Sequence, residues 1–289
     1  MKILITGSKG QLGNELQVLS GAYPQNDYFF TDIEELNVCN KKDVLDFVIL
    51  NNIQLIINCA AYTAVDKAEQ ESLKAFELNA TAVEYLCETA KAIEAFLVQI
   101  STDYVFDGKK NVPYSEKDPV GPVSVYGNSK LKGEEVILKY NLPSLIIRTS
   151  WLYSSYGNNF VKTILRLAKE KTELRIIADQ YGTPTYARDL ARAVLDIISL
   201  KNLPSQPEIY HYSNSGETTW FGFANAITEL SGIKIPVKPI RTEEYPTAAT
   251  RPQFSTFCKD KIIRDFNLKI PHWKDSLRDC LDLLNKNNR

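Results

Sequence analysis

The amino-acid sequence predicts an α/β protein, in which a doubly wound parallel sheet is joined to a smaller α/β domain. Within residues 1–150, short apolar runs alternate with amphipathic stretches, as strands alternate with helices. The runs are apolar throughout, which is typical of strands that are covered on both faces of a parallel sheet. The first run leads directly into a glycine-rich turn, a place where such a sheet can bind a ligand.

The elements of this first part follow in regular order. The strand candidates are KILIT (2–6), YFFTD (28–32), LIINCA (55–60), FLVQIS (96–101) and SLIIRTS (144–150). The helix candidates between them are 12–20, 41–51, 72–93 and 126–140. In the helix at 72–93 the apolar residues lie close to i, i+3, i+4 and i+7, which predicts one buried face.

Beyond residue 150 the alternation is less regular. The elements expected there are helices at 160–170, 188–199, 219–231, 259–266 and 273–286, and strands at 174–178 and 209–214. The last of these strands can extend the first sheet. We therefore predict one domain from residues 1–153 plus about 188–214, and a smaller domain from about 154–187 plus 215–289.

Composition excludes several classes of function. The formal net charge is −1, so no bulk attraction to nucleic acid or to an anionic membrane is expected. No apolar run approaches the roughly 18 residues that span a bilayer, and the N-terminus lacks the features of a signal peptide. The five cysteines are scattered and the two histidines lie far apart, which favours reduced thiols over a disulfide framework or a zinc site. We expect a cytoplasmic protein.

The glycine turn has the spacing of a dinucleotide-binding fingerprint. In ITGSKGQLGNEL, Gly7 permits the tight turn, Gly10 lets the backbone approach a pyrophosphate, and Gly13 allows close helix packing. The helix that begins here offers free N–H groups to phosphates. A glycine-rich βα turn without a ligand has the same spacing, but its position after the first strand favours a nucleotide and a Rossmann-type fold.

Two nearby charges give conflicting indications about the cofactor. Asp32, at the end of the second predicted strand, can bond the adenosine ribose hydroxyls and repel a 2′-phosphate, which favours NADH. Lys9 lies inside the glycine turn and can pair with a 2′-phosphate, which favours NADPH, although it can also be a solvated turn residue. The sequence therefore predicts NADPH or NADH without a choice between them.

Polar residues follow the strand at 96–101. Ser101, Thr102 and Asp103 come at its carboxyl end, which lines the ligand crevice in an open parallel sheet. Tyr126 and Lys130 lie one turn apart on the next predicted helix. A chain with 15 Tyr contains about one Tyr-x-x-x-Lys pair by chance, so this pair gains meaning only from its context. A hydroxyl, a phenol and an ammonium are expected to converge near a nicotinamide.

Taken in order, these motifs resemble the extended short-chain dehydrogenase/reductase superfamily, and within it the dTDP-4-dehydrorhamnose reductases. The segments that carry the resemblance are GQLG, NCAAYTAVDKAE, STDYVFDG, VYGNSKLKGE, RTSWLY, GNNFVKTILRLAKE, DQYGTPT and RP (251–252). The resemblance covers nearly the whole chain. The glycines and the Tyr/Lys pair are shared with many relatives, whereas STDYVF and RTSWLY…GNNF are specific to this branch.

The resemblance implies that NAD(P)H reduces the C4 ketone of dTDP-4-dehydro-L-rhamnose to dTDP-L-rhamnose. It assigns Tyr126 as the proton donor, Lys130 as the cation that lowers the pKa of that phenol and bonds the nicotinamide ribose, and Thr102 as the residue that holds the carbonyl oxygen. Because successive strand residues point in opposite directions, only one of Ser101 and Thr102 can serve. The resemblance further implies that the sugar contacts Asp103 and Trp151.

The same resemblance implies a set of cofactor contacts. These are Gly7, Gly10, Gln11, Leu12, Gly13, Asp32, Asn37, Val38, Ala61, Tyr62, Thr63, Tyr126 and Lys130. This chain has Asn37 where relatives often carry Asp, which removes a charge near the adenine. Some relatives hold Mg²⁺ with three glutamates at a dimer interface. Here Glu15 remains, but Arg188 and Lys274 stand at the other two positions, so we expect no metal, and a monomer or weak homodimer.

Two other functions remain open from the sequence alone. The first is a reductase that acts on a different nucleotide-linked 4-keto-6-deoxy sugar, because no spacing in the C-terminal half specifies thymine over uracil. The second is a non-catalytic NADP-binding regulatory subunit of the same fold. The presence of Thr102, Tyr126 and Lys130 argues against that subunit.

Overall fold

The computed structural model describes residues 1–200 and 202–287. The strands are β1 Lys2–Thr6, β2 Asp27–Phe30, β3 Leu55–Asn58, β4 Phe96–Thr102, β5 Ser144–Thr149, β6 Leu152–Tyr153, β7 Leu174–Ile177, β8 Tyr181–Gly182, β9 Thr185–Tyr186, β10 Pro207–His211, β11 Thr218–Thr219 and β12 Val237–Ile240. The α-helices are α1 Gln11–Ser20, α2 Lys41–Asn51, α3 Val65–Ala68, α4 Ser72–Phe76, α5 Ala82–Ala92, α6 Val125–Tyr140, α7 Phe160–Glu170, α8 Ala187–Ile198, α9 Trp220–Leu230, α10 Asp260–Phe266 and α11 Trp273–Asn287. A π-helical segment covers Glu77–Thr81, and 3₁₀ turns cover Asp103–Val105 and Thr242–Glu244.

A six-stranded sheet forms the centre of the molecule, in the order β2-β1-β3-β4-β5-β10. All of its pairings are parallel, which confirms the predicted sheet, and β10 joins its edge as expected. The chain moves from β1 outward to β2, then crosses back so that β3 lies on the other side of β1. This reversal creates a crevice at the carboxyl ends of β1 and β3, where open α/β sheets bind ligands.

Helices cover both faces of the sheet, because the residues of each strand alternate between two cores. On β1, Ile3 and Ile5 contribute to the core beneath α1 and α8, whereas Leu4 contributes to the core beneath α2, α5 and α6. All three side chains are fully buried. The continuous apolar character of the strands is therefore explained by burial on both sides.

A third apolar core lies among the later elements. Its members come from β6, β9 and the helices α7, α9 and α11, and include Tyr153, Val161, Phe223, Ile227 and Leu277. Three two-stranded pairs accompany it: β7 with β12, β8 with β11, and β6 with β9. The domain boundaries given above remain a prediction, and this core also includes Tyr153, which lies within the first predicted domain.

Two predicted elements differ from the structure. β2 ends at Phe30, so Asp32 lies beyond the strand rather than at its end. The helix expected at 72–93 is interrupted by the π-helical segment, in which the buried Asn79 bonds both the N–H and the carbonyl of Tyr62 at 2.9 and 3.0 Å. Gly133 of α6 packs directly against the carbonyl of Asn79, so a side chain at 133 could not fit. The irregular helix thus holds the loop that follows β3.

Candidate active site

The glycine turn between β1 and α1 is shaped by close backbone contacts. Gly7 has a φ of +62°, and a Cβ there would lie 2.7 Å from the backbone nitrogen of Ala60. A Cβ on Gly13 would lie 2.4 Å from the carbonyl oxygen of Gly7. These contacts explain two of the glycines by packing alone.

Gly10 differs from the other two glycines. A Cβ at this position would approach only the carbonyl oxygen of Gly7, at 3.2 Å, so the surface above it is open. Gly10 is also the N-cap of α1, and no side chain caps the helix. The N–H groups of the first turn are therefore available to an anion, and the turn fits a pyrophosphate.

A cavity of about 620 Å³ extends from the glycine turn along the end of β2. Besides Gly7 and Gly10, the expected cofactor contacts that line it are Asp32, Asn37, Val38, Ala61 and Tyr62. The Asp32 carboxylate accepts hydrogen bonds from the backbone nitrogens of Lys9 and Ile33, both at 2.9 Å. It is thus held at the rim, where a ribose would lie.

Lys9 is engaged by acidic neighbours. Its ammonium lies 2.5 Å from Glu34 and 3.4 Å from Glu35, and the hydrogen bond to Glu34 is the main cause of its raised pKa. Both partners are exposed. A 2′-phosphate would therefore meet a lysine that is already paired with two carboxylates.

A second cavity, of about 590 Å³, continues from the glycine turn across the ends of β4 and β5. It shares Gly7, Gly10, Cys59 and Ala61 with the first, so the two cavities meet at the turn. It brings together most of the remaining expected site residues: Gln11, Leu12, Gly13, Thr63, Thr102, Asp103, Tyr126, Lys130 and Trp151. Sequence reasoning thus predicted groups that are distant in the chain and adjacent in the fold.

Tyr126 is a buried phenol beside Thr102. Burial raises the pKa of Tyr126 to about 12, although the neighbouring Thr102 hydroxyl lowers it and the Asp103 carboxylate raises it. The net pKa shift of Tyr126 is therefore upward, not the lowering expected from Lys130, because burial is the largest effect. A phenol with so high a pKa stays protonated at neutral pH and can act as a proton donor.

Lys130 lies in the wall of the cavity and is bonded to the backbone of β4. Its Nζ donates to the carbonyl oxygen of Ile100 at 2.7 Å. Burial lowers the pKa of Lys130 to about 8, and the charge of Glu134, one turn along α6, raises it. The ammonium is thus the main form at neutral pH but is lost at moderately alkaline pH.

A buried ion pair supports this part of α6. Arg148 of β5 bonds Glu134 through Nε at 3.0 Å and Nη2 at 2.6 Å, and both side chains are almost fully buried. Ser101 donates to the same carboxylate at 2.5 Å. Ser101 therefore bonds Glu134 within the core. Thr102 accepts from the N–H of Tyr104 at 3.2 Å, donates to Asp103 at 3.1 Å, and lies beside Tyr126 in the cavity.

Asp103 is a buried carboxyl in the same cavity. It accepts a hydrogen bond from the Thr102 hydroxyl at 3.1 Å on Oδ1, but within residues 1–200 and 202–287 its Oδ2 has no hydrogen-bond partner. Burial raises the pKa of Asp103 to about 6, and the hydroxyl of Ser255 lowers it. An unpaired buried acceptor beside the reacting centre fits a sugar hydroxyl.

Several residues of the cavity were not predicted from the sequence. Thr149 pairs in register with Thr102 across β4 and β5, and its buried Oγ1 has no partner among the described residues. Trp220 comes from the start of α9 and lines the cavity together with Gly157 and Asn158. RTSWLY and GNNF marked these regions, but no motif surrounds Trp220, so only the fold reveals it.

No group of three or more His, Cys, Asp or Glu side chains in the described part of the chain is arranged to hold a metal ion. Glu15 is buried and accepts a hydrogen bond from Ser154 at 2.6 Å. Burial raises the pKa of Glu15, and the nearby charge of Arg188 lowers it. The structure therefore has the cation Arg188 near Glu15, at a position where the resemblance implies a second carboxylate in a metal-binding relative.

A family model described as the RmlD substrate binding domain matches residues 1–286. The chain belongs to this family. The spore coat polysaccharide biosynthesis protein SpsK of Bacillus subtilis (strain 168) is 40% identical over 282 residues, with 97% of this chain and 96% of that protein covered. The dTDP-4-dehydrorhamnose reductase of Sinorhizobium fredii (strain NBRC 101917 / NGR234) is 40% identical over 285 residues, with 96% of each covered.

Solved structures of the RmlD family agree with this fold. The dTDP-4-dehydrorhamnose reductase of Bacillus anthracis str. Ames, determined in complex with NADP, superposes with a TM-score of 0.92 at 38% identity. The match covers 98% of this chain and 99% of that one. The resemblance stated from the motifs is therefore confirmed at the level of the family and of the Rossmann-type fold.

Proposed function

We propose that this protein reduces the C4 ketone of dTDP-4-dehydro-L-rhamnose to dTDP-L-rhamnose with NADPH or NADH. The observation that carries the proposal is the cavity that joins an open glycine turn to Thr102, Tyr126 and Lys130. Membership of the RmlD family and the names of its reductase relatives support the same reaction. The complex of one such relative with NADP supports the cofactor.

The glycine turn would hold the pyrophosphate of the cofactor on the N–H groups of α1, and Asp32 would bond its adenosine ribose. When bound, NAD(P)H supplies a hydride. The cavity at the ends of β4 and β5 then leaves room for a sugar next to the nicotinamide position. Lys130 would bond the nicotinamide ribose from the rear of that cavity.

Tyr126 would give its proton to the sugar oxygen as negative charge develops there. Its phenol stays protonated until it donates, because burial raises its pKa to about 12. Thr102 would hold the carbonyl oxygen at the correct distance from that phenol. The Lys130 ammonium would stabilise the phenolate left after proton transfer, since opposite charges favour the ionised form.

Asp103 and Trp151 would bind the sugar. The free Oδ2 of Asp103 can accept from a ring hydroxyl, and the indole of Trp151 can pack against an apolar face of the sugar. The two groups fix different features of the ring, so together they orient its ketone toward Tyr126.

The test is steady-state kinetics of the purified protein with both cofactors. With dTDP-4-dehydro-L-rhamnose, we expect oxidation of NADPH or NADH, measured as the loss of absorbance of the reduced nicotinamide. Turnover of a different nucleotide-linked 4-keto-6-deoxy sugar without turnover of the dTDP substrate would overturn the substrate assignment. Cofactor binding without turnover of any such sugar would instead favour the regulatory subunit.

We also infer a cytoplasmic location and a monomer or weak homodimer. No helix among the described residues is long and apolar enough to cross a membrane. The cation beside Glu15 argues against a metal-linked dimer of the kind that three glutamates support. Sedimentation of the protein with and without EDTA tests the second inference, which a dimer dispersed by EDTA would contradict.

A further inference from the structure

Trp151 has an unusual backbone conformation. Its φ is +44°, in the left-handed region that bulky side chains rarely adopt. It lies two residues beyond the end of β5 and lines the cavity that contains Tyr126 and Thr102. A strained residue persists only when its surroundings over-determine it, and such residues cluster at functional sites. The contacts that hold Trp151 in this conformation therefore help to define the shape of the cavity.

Strand β8 packs against the Trp151 side chain. Gly182 of β8 lies so close that a Cβ there would be 2.7 Å from the Cε2 atom of Trp151. The pair is in register with Thr218 opposite Gly182, which brings the following Trp220 to the same indole. The Trp151 backbone is anchored too, since its carbonyl accepts from the Thr185 N–H at 3.2 Å.

Trp220 stacks face to face on Trp151. The ring centroids are 3.6 Å apart and the planes differ by 9°. Phe160 packs against Trp220 with a centroid distance of 4.7 Å. Trp151 comes shortly after β5 and Trp220 begins α9, so the stack brings two distant chain segments together in the lining of the cavity.

We propose that Trp220 is a positioning residue that fixes Trp151 as the apolar platform of the sugar subsite. The inference rests on the proposed function and adds a residue to it. Trp151 lies in the same cavity as Tyr126 and Thr102, so the part of the substrate that reaches it is the ring that is reduced, not the nucleotide. A sugar without a hydroxyl at C6 offers a methyl group to such a surface, and aromatic rings bind apolar groups in pockets.

The experiment compares Trp220→Leu, which removes the stacking plane, with Trp220→Phe, which retains an aromatic ring. For Trp220→Leu we expect KM for dTDP-4-dehydro-L-rhamnose and Kd for dTDP-L-rhamnose to rise about tenfold. Kd for dTDP alone and for NADPH should stay unchanged, and Trp220→Phe should restore much of the loss. An equal loss of dTDP affinity would overturn the inference, because it would mean that the base rests on the indoles.

Gly182→Ala tests the same stacking contact by disturbing Trp151 instead of Trp220. Its new methyl group would displace the Trp151 indole while both tryptophans remain, so we expect the same rise in KM. Stacked indoles give a coupled circular-dichroism signal, which both Trp220→Leu and Gly182→Ala should abolish. Trp273→Phe is the matched control, because Trp273 is buried against Phe223 outside the cavity and its loss should spare both readouts.

The outcomes separate this inference from the proposed function. If the wild-type protein turns over no dTDP-keto sugar, the proposed function fails. If it does, but both variants lose the coupled signal and keep the wild-type KM, only the inference fails. A rise in KM together with loss of the signal supports both.

Discussion

At the scale of single residues, the buried phenol of Tyr126 is the group whose chemistry can be tested most directly. Tyr126→Phe removes one oxygen atom and keeps the ring. We expect kcat to fall by about 10²–10⁴-fold, the usual contribution of a positioned proton donor. The affinity for NADPH should change little, because the glycine turn and Asp32 remain.

The control for this substitution is Tyr114→Phe. Tyr114 is also buried, but its hydroxyl bonds Asp107 at 2.8 Å and the residue lines neither cavity. Turnover should survive in this variant. Measured kcat for Tyr126→Phe within a few-fold of wild type would rule out Tyr126 as the proton donor.

Asp103 gives a prediction for acidic pH. Because burial raises its pKa to about 6, the carboxylate is the main form above that pH and the neutral acid below it. The carboxylate is the better acceptor for a sugar hydroxyl, so kcat/KM should fall as the pH drops through about 6. Asp103→Asn should lower kcat/KM at neutral pH and remove most of its fall at acidic pH, here called the acid limb. The fall at alkaline pH, the alkaline limb, should be unchanged. An acid limb that persists in Asp103→Asn would assign it to another group.

At the scale of elements, the ion pair between Glu134 and Arg148 joins α6 to β5. The charge of Glu134 also raises the pKa of Lys130. Removing the carboxylate charge in Glu134→Gln leaves Arg148 buried and unpaired, which should cost about 3–5 kcal/mol of unfolding free energy. It also removes a charge that raises the pKa of Lys130. The alkaline limb of kcat/KM, expected near pH 8 as the ammonium is lost, should therefore move to lower pH.

The double variant Glu134→Gln, Arg148→Met separates the two effects. Replacing both members of a buried pair restores much of the stability, since no charge is left unpaired. The alkaline limb should nevertheless stay at the lower pH. Denaturant unfolding and pH profiles measure the two effects independently. If the double variant regains stability and its alkaline limb also returns to the wild-type pH, Glu134 affects activity only through folding.

The elements also indicate which structure can be predicted from sequence. The helix at 160–170 and the strands of the large sheet were predicted closely, because apolar periodicity is local and each segment buries its own face. The two-residue strands β8 and β11 were missed, since they exist only by pairing with each other across a long separation. The π-helical segment was missed too; it contains Asn79, whose side chain bonds Tyr62 in the loop after β3, a contact that apolar periodicity does not reveal.

The candidate site shows the same division. The strand end and the following helix suggested Ser101, Thr102, Tyr126 and Lys130, and the family resemblance chose Thr102; the structure places Thr102, Tyr126 and Lys130 around one cavity. Trp220 was not predicted, since it reaches the cavity through the tertiary packing of α9 against Trp151 and Phe160. The direction of the pKa shift of Tyr126 was wrong because sequence gives neighbours but not the extent of burial, which dominates the shift.

At the scale of the whole molecule, an ion pair ties the connector between β12 and α10 to α3. Arg251 bonds the two carboxylate oxygens of Asp66 at 3.1 and 2.7 Å, and the N–H of Ala249 bonds the same carboxylate at 3.1 Å. Asp66→Asn should lower the unfolding free energy by about 1 kcal/mol or less, because the Asp66–Arg251 ion pair is partly exposed. We expect faster tryptic cleavage after the exposed Arg241, while the catalytic residues are untouched.

The pH dependence of this effect has a defined sign. The hydrogen bond from Arg251 lowers the pKa of Asp66, so its contribution to stability is present above the unfolded-state pKa of about 4 and is lost as the pH falls through the lower folded-state pKa. The stability difference between Asp66→Asn and wild type should therefore be present at neutral pH and shrink on acidification. Asp46→Asn, which breaks the exposed Lys42–Asp46 pair on α2, is the matched control and should not change cleavage after Arg241. Equal cleavage rates for Asp66→Asn and the control would mean that the connector is held by its other contacts.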